Sequence, residues 1–172
     1  MKRIAPWILV TLVLTVVFHV LTVKAYPYYI MVKFSKSSPG TINAITHSPR
    51  VDDTARRVVR PSPNLLYSVC GYDVGEGPVR LTAPIPEDTY WSLSVFAVNT
   101  DNFFVINDRQ VKSDKIEVIL VDKGGTVPDP GDAIVVEAKT IKGAVLFRML
   151  IPDESRLDEL ISIQKQAKCE PI

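Results

Sequence analysis

Apolar and polar residues alternate with a period of two through most of the chain from residue 58 onward, which predicts β-strands. In residues 89–98, the odd positions from Trp91 to Ala97 are apolar, whereas Ser92 and Ser94 occupy even positions. One face of this strand should therefore lie in a core. The same pattern predicts further strands at Leu65–Asp73, Pro78–Thr82, Asn102–Ile106, Lys115–Val121, Ala133–Lys139 and Ala144–Ile151.

Turn residues separate these strands and indicate the architecture. Gly, Pro, Asn and Asp cluster between them, as at Gly75–Pro78, Pro84–Asp88 and Pro128–Gly131. No long helical segment lies between successive strands, so the pattern argues against a parallel sheet built from βαβ units. We therefore expect a mainly β domain, an antiparallel β-sandwich of jelly-roll-like form, with a barrel as the alternative.

One amphipathic helix is predicted near the end of the sequence, from Glu154 to Ala167. Asp153 can cap its first turn, and the acidic Glu154 suits the positive N-terminal end of a helix. Leu157, Leu160 and Ile161 fall on one stripe of this helix. We expect the apolar stripe to close one face or edge of the sheet.

The first segment of the chain is far more apolar than the rest, with no charged side chain from Ile4 to Val23. A helix needs about 20 such residues to cross a bilayer, whereas the apolar core of a signal peptide has roughly 7–15. The length predicts a retained transmembrane anchor, and cleavage after Ala25 is the alternative. We interpret His19 as a tolerated polar residue near the membrane interface rather than a proton site.

The residues behind the anchor indicate a membrane-proximal connection. Aromatic residues are frequent in Tyr26–Phe34, where Pro27 is expected to begin a short interfacial helix. Ser35–Gly40 has the composition of a turn and linker. The chain is thus divided into an anchor (1–25), a juxtamembrane segment and linker (26–50), and a β-sandwich domain with a C-terminal helix (51–172).

Charge and motif content exclude several classes of function. Lys and Arg total 20 and Asp and Glu total 19, so electrostatics give no reason to expect a nucleic acid partner. The chain carries none of the common nucleophile, zinc, phosphate or dinucleotide motifs. We therefore assign no catalytic residue, no metal site and no cofactor.

The two cysteines, Cys70 and Cys169, lie in a predicted strand and just after the predicted helix. An even number of cysteines in an exported domain favours a disulfide between them. Two alternatives stay open at this point: a pair of free buried thiols, or a nucleophile that would need activation by His47.

Polar and aromatic residues at the ends of the predicted strands form two groupings that could line a ligand site. Asp and Asn at such positions more often stabilise turns, and we favour that interpretation. Tyr67 and Trp91 are also large enough to be core residues, and Arg109 is expected to pair with Asp101 or Asp73. The residues considered for ligand binding are Tyr67, Tyr72, Asp73, Trp91, Asp101, Asp108 and Arg109.

Two blocks of sequence resemble a known family, the domain of unknown function 1254. Val58–Val74 contains a Pro-Asn-Leu-Leu-Tyr-Ser turn that leads into a strand, and Gly77-Pro78 and the aromatic Thr89–Ser92 follow it. Asp101–Gln110 resembles the short, membrane-anchored branch of the family. The likeness covers most of the chain, roughly residues 27–160.

This resemblance implies a bacterial protein with a β-sandwich domain and an N-terminal membrane span. Longer members join the domain to a second one, the domain of unknown function 1214. A short N-terminal stub is the usual cytoplasmic end of a signal anchor. We expect a single-pass protein of the bacterial inner membrane with its N-terminus in the cytoplasm and its domain in the periplasm. The family has no assigned activity, so no catalytic residue is carried over.

Two functions compete on this basis. The first is a non-catalytic binding or assembly module that works with a companion envelope protein carrying a domain of unknown function 1214. The second is a sandwich that binds or hydrolyses a sugar or an amphiphile through Asp73, Asp101 or Asp108. Carboxylates that converge in a concave aromatic pocket would favour the second function, and dispersed carboxylates would favour the first.

Overall fold

The computed structural model describes residues 3–37, 42–56 and 60–172. Its first element, α1 (Ala5–Ser37), is a helix of 33 residues. The stretch Ala5–Lys33 is long and apolar enough to cross a membrane, and its most apolar part is not buried against the rest of the chain. At 1.5 Å per residue α1 is about 50 Å long, which exceeds the roughly 30 Å of a hydrocarbon core.

The expected separate interfacial helix beginning at Pro27 is wrong, because Pro27 lies inside the continuous α1. Proline in a helix interior removes one backbone hydrogen bond, which strains a long helix without having to end it. The predicted linker Ser35–Gly40 begins within α1, and its residues 38–40 lie outside the described residues.

Nine strands, numbered along the chain, form two sheets in the part of the protein that the structure describes. The five-stranded sheet is antiparallel, in the order β1 (Ile45–His47), β2 (Leu65–Asp73), β8 (Lys142–Leu150), β4 (Trp91–Ala97) and β5 (Asn102–Asn107). The four-stranded sheet has the order β7 (Ile134–Glu137), β6 (Lys115–Val121), β3 (Val79–Pro84) and β9 (Lys168–Pro171).

The core lies between the two sheets and contains the apolar positions of the alternating pattern. Trp91 is 1% exposed and packs against Phe147, with their ring centroids 6.2 Å apart. Val79 and Leu120 face them from the other sheet and are fully buried. Because successive side chains of a strand point to opposite faces, each strand has one face in this core and one facing outward.

The pair β6–β7 departs from the antiparallel expectation, because these two strands run parallel. Parallel neighbours need a crossover connection, which here is residues 122–133. Ile119 and Val121 point to the outer face of β6 and are nevertheless buried. Near Val121, the crossover passes close enough that a side chain added at Gly125 would meet the Val121 Cβ at 3.2 Å.

The C-terminal helix is shorter than predicted. A 3-10 turn (Glu154–Arg156) leads into α2 (Leu157–Gln164), and the chain then turns into β9 instead of remaining helical to Ala167. Asp153 caps this segment as expected, because its Oδ1 accepts a hydrogen bond from the backbone N of Ser155 at 2.8 Å. Leu160 of α2 is fully buried in the core.

A disulfide joins Cys70 of β2 to Cys169 of β9, which confirms the favoured prediction for the cysteines. The two residues are 99 positions apart in sequence and belong to different sheets. Both are buried, so the bond fastens the two halves of the sandwich from inside. The alternatives of free thiols and of a cysteine nucleophile are wrong, since neither thiol is free.

Candidate functional site

The polar residues considered for ligand binding lie at two opposite ends of the five-stranded sheet. At one end Trp91 pairs with Met149, and Asp108 follows β5. At the other end Asp73 pairs with Lys142, and Asp101 precedes β5 next to the end of β4. Trp91 and Ala97 mark the two ends of β4, six residues or about 20 Å apart. Asp108 therefore lies far from Asp73 and Asp101. Strands β8 and β4 lie between β2, which ends in Asp73, and β5, which follows Asp101.

Asp73 stabilises the end of β2. Its Oδ2 lies 2.8 Å from the Nζ of Lys142, and its Oδ1 accepts a hydrogen bond from the backbone N of Gly75 at 3.0 Å. The Asn43 side chain also bonds to both backbone groups of Asp73. The Lys142 ammonium and the Gly75 amide hold the pKa of Asp73 below its ordinary value.

Tyr72 is fully buried beside Gly143, its cross-strand neighbour. A Cβ at Gly143 would approach the Tyr72 hydroxyl to 2.5 Å and overlap the backbone carbonyl of Phe96. The Tyr72 hydroxyl has no hydrogen-bond partner of good geometry among the described residues. Burial raises the pKa of this phenol, and the nearby Thr140 hydroxyl offsets part of the rise. Tyr72 is thus a core residue rather than a residue of an open site.

Asp101 and the residues that follow β5 make local turn contacts. Asp101 accepts a hydrogen bond from the Asn99 side chain at 2.8 Å, next to Thr100, whose φ is +70°. At the end of β5, the Asn107 Oδ1 accepts a hydrogen bond from the backbone N of Arg109 at 3.0 Å. Arg109 is exposed and forms no ion pair with another described residue, so the expected pairing with Asp101 or Asp73 is wrong.

A shallow groove of about 730 Å³ lies at the Trp91 end of the sandwich. Tyr90 is 39% exposed there, and the Oδ1 atom of Asp108 is enclosed without a hydrogen-bond partner among the described residues. Four carboxylates and a single lysine line this groove. The lining residues are Ile85, Pro86, Glu87, Asp88, Thr89, Tyr90, Trp91, Asp108, Val111, Lys112, Ser113 and Asp114.

The acids of this groove raise the questions of metal binding and of hydrolysis. No group of three His, Cys, Asp or Glu side chains that could hold a metal ion occurs within the described ranges. Of the three aspartates considered for hydrolysis, only Asp108 lines the groove. Asp73 and Asp101 lie outside the groove, whereas Asp108 lines it beside Tyr90 and Trp91.

A second surface, which the sequence analysis did not single out, is the outer face of the five-stranded sheet. Register places Tyr67, Arg148 and Ser92 side by side on three neighbouring strands. The Arg148 Nε donates to the Ser92 hydroxyl at 3.2 Å, and its Nη2 donates to the Ser94 hydroxyl at 3.4 Å. Both serines have no exposed surface although they point outward. The Arg148 side chain therefore covers them.

Apolar side chains surround the Arg148 guanidinium. In the next row of the register Val69, Leu146, Ser94 and Val105 lie side by side, and Phe96 follows on β4. Most of these side chains are half-buried, and Val105 is 41% exposed. We call this surface the Arg148 face and define it by Tyr67, Val69, Phe96, Val105, Leu146 and Arg148.

The placement of Tyr67 on this face corrects the expectation that it is a core residue. Tyr67 is half-buried, and its hydroxyl accepts a hydrogen bond from the backbone N of Ser62 at 2.9 Å. Alternation alone puts Arg148, Ser92 and Ser94 on outward positions. Their adjacency depends on strand order and register, and neither can be read from the alternation of a single strand.

Comparison with known proteins identifies the family and the fold. The model of the family described as "Protein of unknown function (DUF1254)" matches residues 42–171. A comparison with curated proteins gives no match. The solved VPA0106 protein of Vibrio parahaemolyticus is 13% identical with a TM-score of 0.68, over 87% of this chain and 36% of that one. An uncharacterised Burkholderia cenocepacia protein is 12% identical with a TM-score of 0.56, over 81% and 37%.

At these identities the likeness concerns the fold alone. The chain spans little more than a third of the length of either solved protein, so the same sandwich occurs there within a longer chain. The family match covers the whole sandwich from β1 to β9, including both cysteines of the disulfide. The chain belongs to the family of proteins of unknown function DUF1254.

Proposed function

We propose that this protein is a single-pass membrane protein whose β-sandwich lies in the periplasm of a bacterium and acts as a non-catalytic binding or assembly module. In this proposal α1 anchors the chain in the inner membrane, with its N-terminus in the cytoplasm. The length and apolar character of α1 support the anchor, and the disulfide fits an oxidising compartment.

The module is proposed to work with a companion envelope protein that carries a domain of unknown function 1214. One observation carries this step: two solved proteins contain the sandwich as little more than a third of a longer chain. Domains joined in one chain usually share an interface of roughly 600–1,500 Å². The sandwich of this protein is proposed to present such a surface to a separate protein in trans, and a shared membrane raises the effective concentration of the two proteins.

The test is the composition of the native assembly. The full chain, tagged and expressed at its native level, is extracted in a mild detergent and weighed by native mass spectrometry. The proposal predicts a complex with one different envelope protein in a fixed ratio. A matched variant with α1 replaced by an unrelated transmembrane helix should keep the companion, because the sandwich makes the contact. A monomer or an assembly of this chain alone would contradict the proposal.

A further inference from the structure

Arg148 is held in place by hydroxyl groups rather than by a carboxylate. Its Nε and Nη2 bond to Ser92 and Ser94, and no described acidic residue lies within ion-pair distance of it. An arginine has five N–H donors, and the two serines use two of them. The remaining N–H groups of the guanidinium are available to a ligand. Because the serines already fix the side chain, a bound carboxylate would cost little further rotamer entropy.

The residues around Arg148 have the composition of an interface hot spot, the small set of residues that supplies most of the binding free energy. Arg and Tyr are enriched at such hot spots, and apolar neighbours that exclude water strengthen the charged contact. Tyr67 opposes Arg148 directly across the strand pair, with its hydroxyl fixed by Ser62. Val69, Leu146 and Val105 supply the apolar rim.

The outer face of the four-stranded sheet offers a contrast. There Arg80 pairs with Glu117 at 3.3 Å, and Lys115 lies 3.6 Å from the same carboxylate. The outward-pointing Ile119 on that sheet is already buried within the chain itself. Lys168 of β9 shares that outer face and forms no ion pair with a described residue, but its side chain is exposed. Arg148 differs from it because it is half-buried and held by two buried serines.

We infer that the Arg148 face is the docking surface for the companion protein, and that a carboxylate of an Asp or Glu of that protein binds Arg148 beside Tyr67. This inference rests on the proposed function and adds the surface and its chemistry. Charge complementarity selects an acidic protein surface. Membrane lipids are recognised by clusters of about 4–8 basic residues, whereas this face has a single arginine.

Site-specific photo-crosslinking in living cells tests the surface. A benzophenone amino acid replaces Val105 on the Arg148 face or, as the matched control, Val135 on the outer face of the other sheet. These two valines are 41% and 44% exposed. The companion should crosslink from position 105 and not from position 135. Crosslinks to lipid or to a second copy of this chain from position 105 would overturn the inference.

Charge variants test the acidic contact. With the probe at position 105, Arg148→Glu should lower the crosslink yield by about tenfold or more, and Arg148→Lys should lower it less. Resistance of the sandwich to limited proteolysis, equal to that of the unsubstituted chain, shows that each variant is folded. Mass spectrometry of the crosslinked peptide identifies the nearest Asp or Glu of the companion. Replacing that residue by Lys should restore the crosslink yield of the Arg148→Glu variant.

The outcomes separate this inference from the function on which it rests. An unchanged yield with Arg148→Glu, or a companion that crosslinks from position 135 alone, overturns the docking surface and leaves the companion in place. A native assembly without any companion removes both. Loss of the crosslink without rescue by the charge exchange overturns the carboxylate contact.

Discussion

At the scale of single residues, acidic and aromatic side chains that neighbour each other in sequence do not form one site. Asp73 is held by Lys142 and Gly75, while Asp101 holds a turn. The favoured turn interpretation anticipated such contacts because Asp and Asn at strand ends bond to nearby backbone. The role of Arg148 could not be anticipated, since its partners Ser92 and Ser94 lie more than 50 positions away.

Gly143 gives a prediction at this scale. Gly143→Ala should lower the free energy of unfolding by about 3 kcal/mol, because the new methyl group overlaps the Tyr72 ring and the Phe96 carbonyl. Denaturant unfolding of the detergent-solubilised chain, followed by Trp91 fluorescence in a Trp7→Phe background, measures the change.

Gly124→Ala is the control for this measurement. Gly124 has a φ of +71° and no other atom within 4 Å of an added Cβ, so the change adds backbone strain alone, about 1 kcal/mol. A loss at position 143 no larger than the loss at position 124 would show that the Tyr72–Gly143 packing is not as tight as described.

At the scale of elements, the strands with long alternation were predictable and the short ones were not. All seven predicted strands are present, with ends shifted by at most a few residues. β1 has three residues and β9 ends in Pro171, which leaves too little alternation to recognise. Both strands are defined by tertiary pairing, β1 with β2 and β9 with β3.

The disulfide between β2 and β9 gives the prediction at this scale. Replacement of both cysteines by alanine should lower the free energy of unfolding by about 2–4 kcal/mol, because the bond closes a long loop in the unfolded chain. Alkylation with and without reductant, read by mass spectrometry, should show Cys70 and Cys169 protected in the native chain until reduction.

Single variants provide the control for the disulfide. Cys70→Ala and Cys169→Ala should each lose about as much stability as the double variant, because either change removes the whole bond. Reaction of both thiols with the alkylating agent in the unreduced, denatured wild-type chain would contradict the bond.

At the scale of the whole molecule, sequence reasoning gave the fold class and the family but not the surfaces. Alternation and turn residues predicted the sandwich, and two sequence blocks indicated the family. The Arg148 face arises where β2, β8 and β4 meet, and β8 follows β2 by nearly 70 residues in sequence. A surface built by such distant strands requires the strand order, which only the structure provides.

The proposed function requires the sandwich to lie on the far side of the membrane from the cytoplasm. The most direct measurement fuses to Ile172, in parallel, a phosphatase that is active only after export and a fluorescent protein that matures only in the cytoplasm. We predict phosphatase activity without fluorescence for the full chain, and the reverse when α1 is deleted. Fluorescence without phosphatase activity from the full chain would contradict the account, because neither the disulfide nor an envelope companion would then have a place.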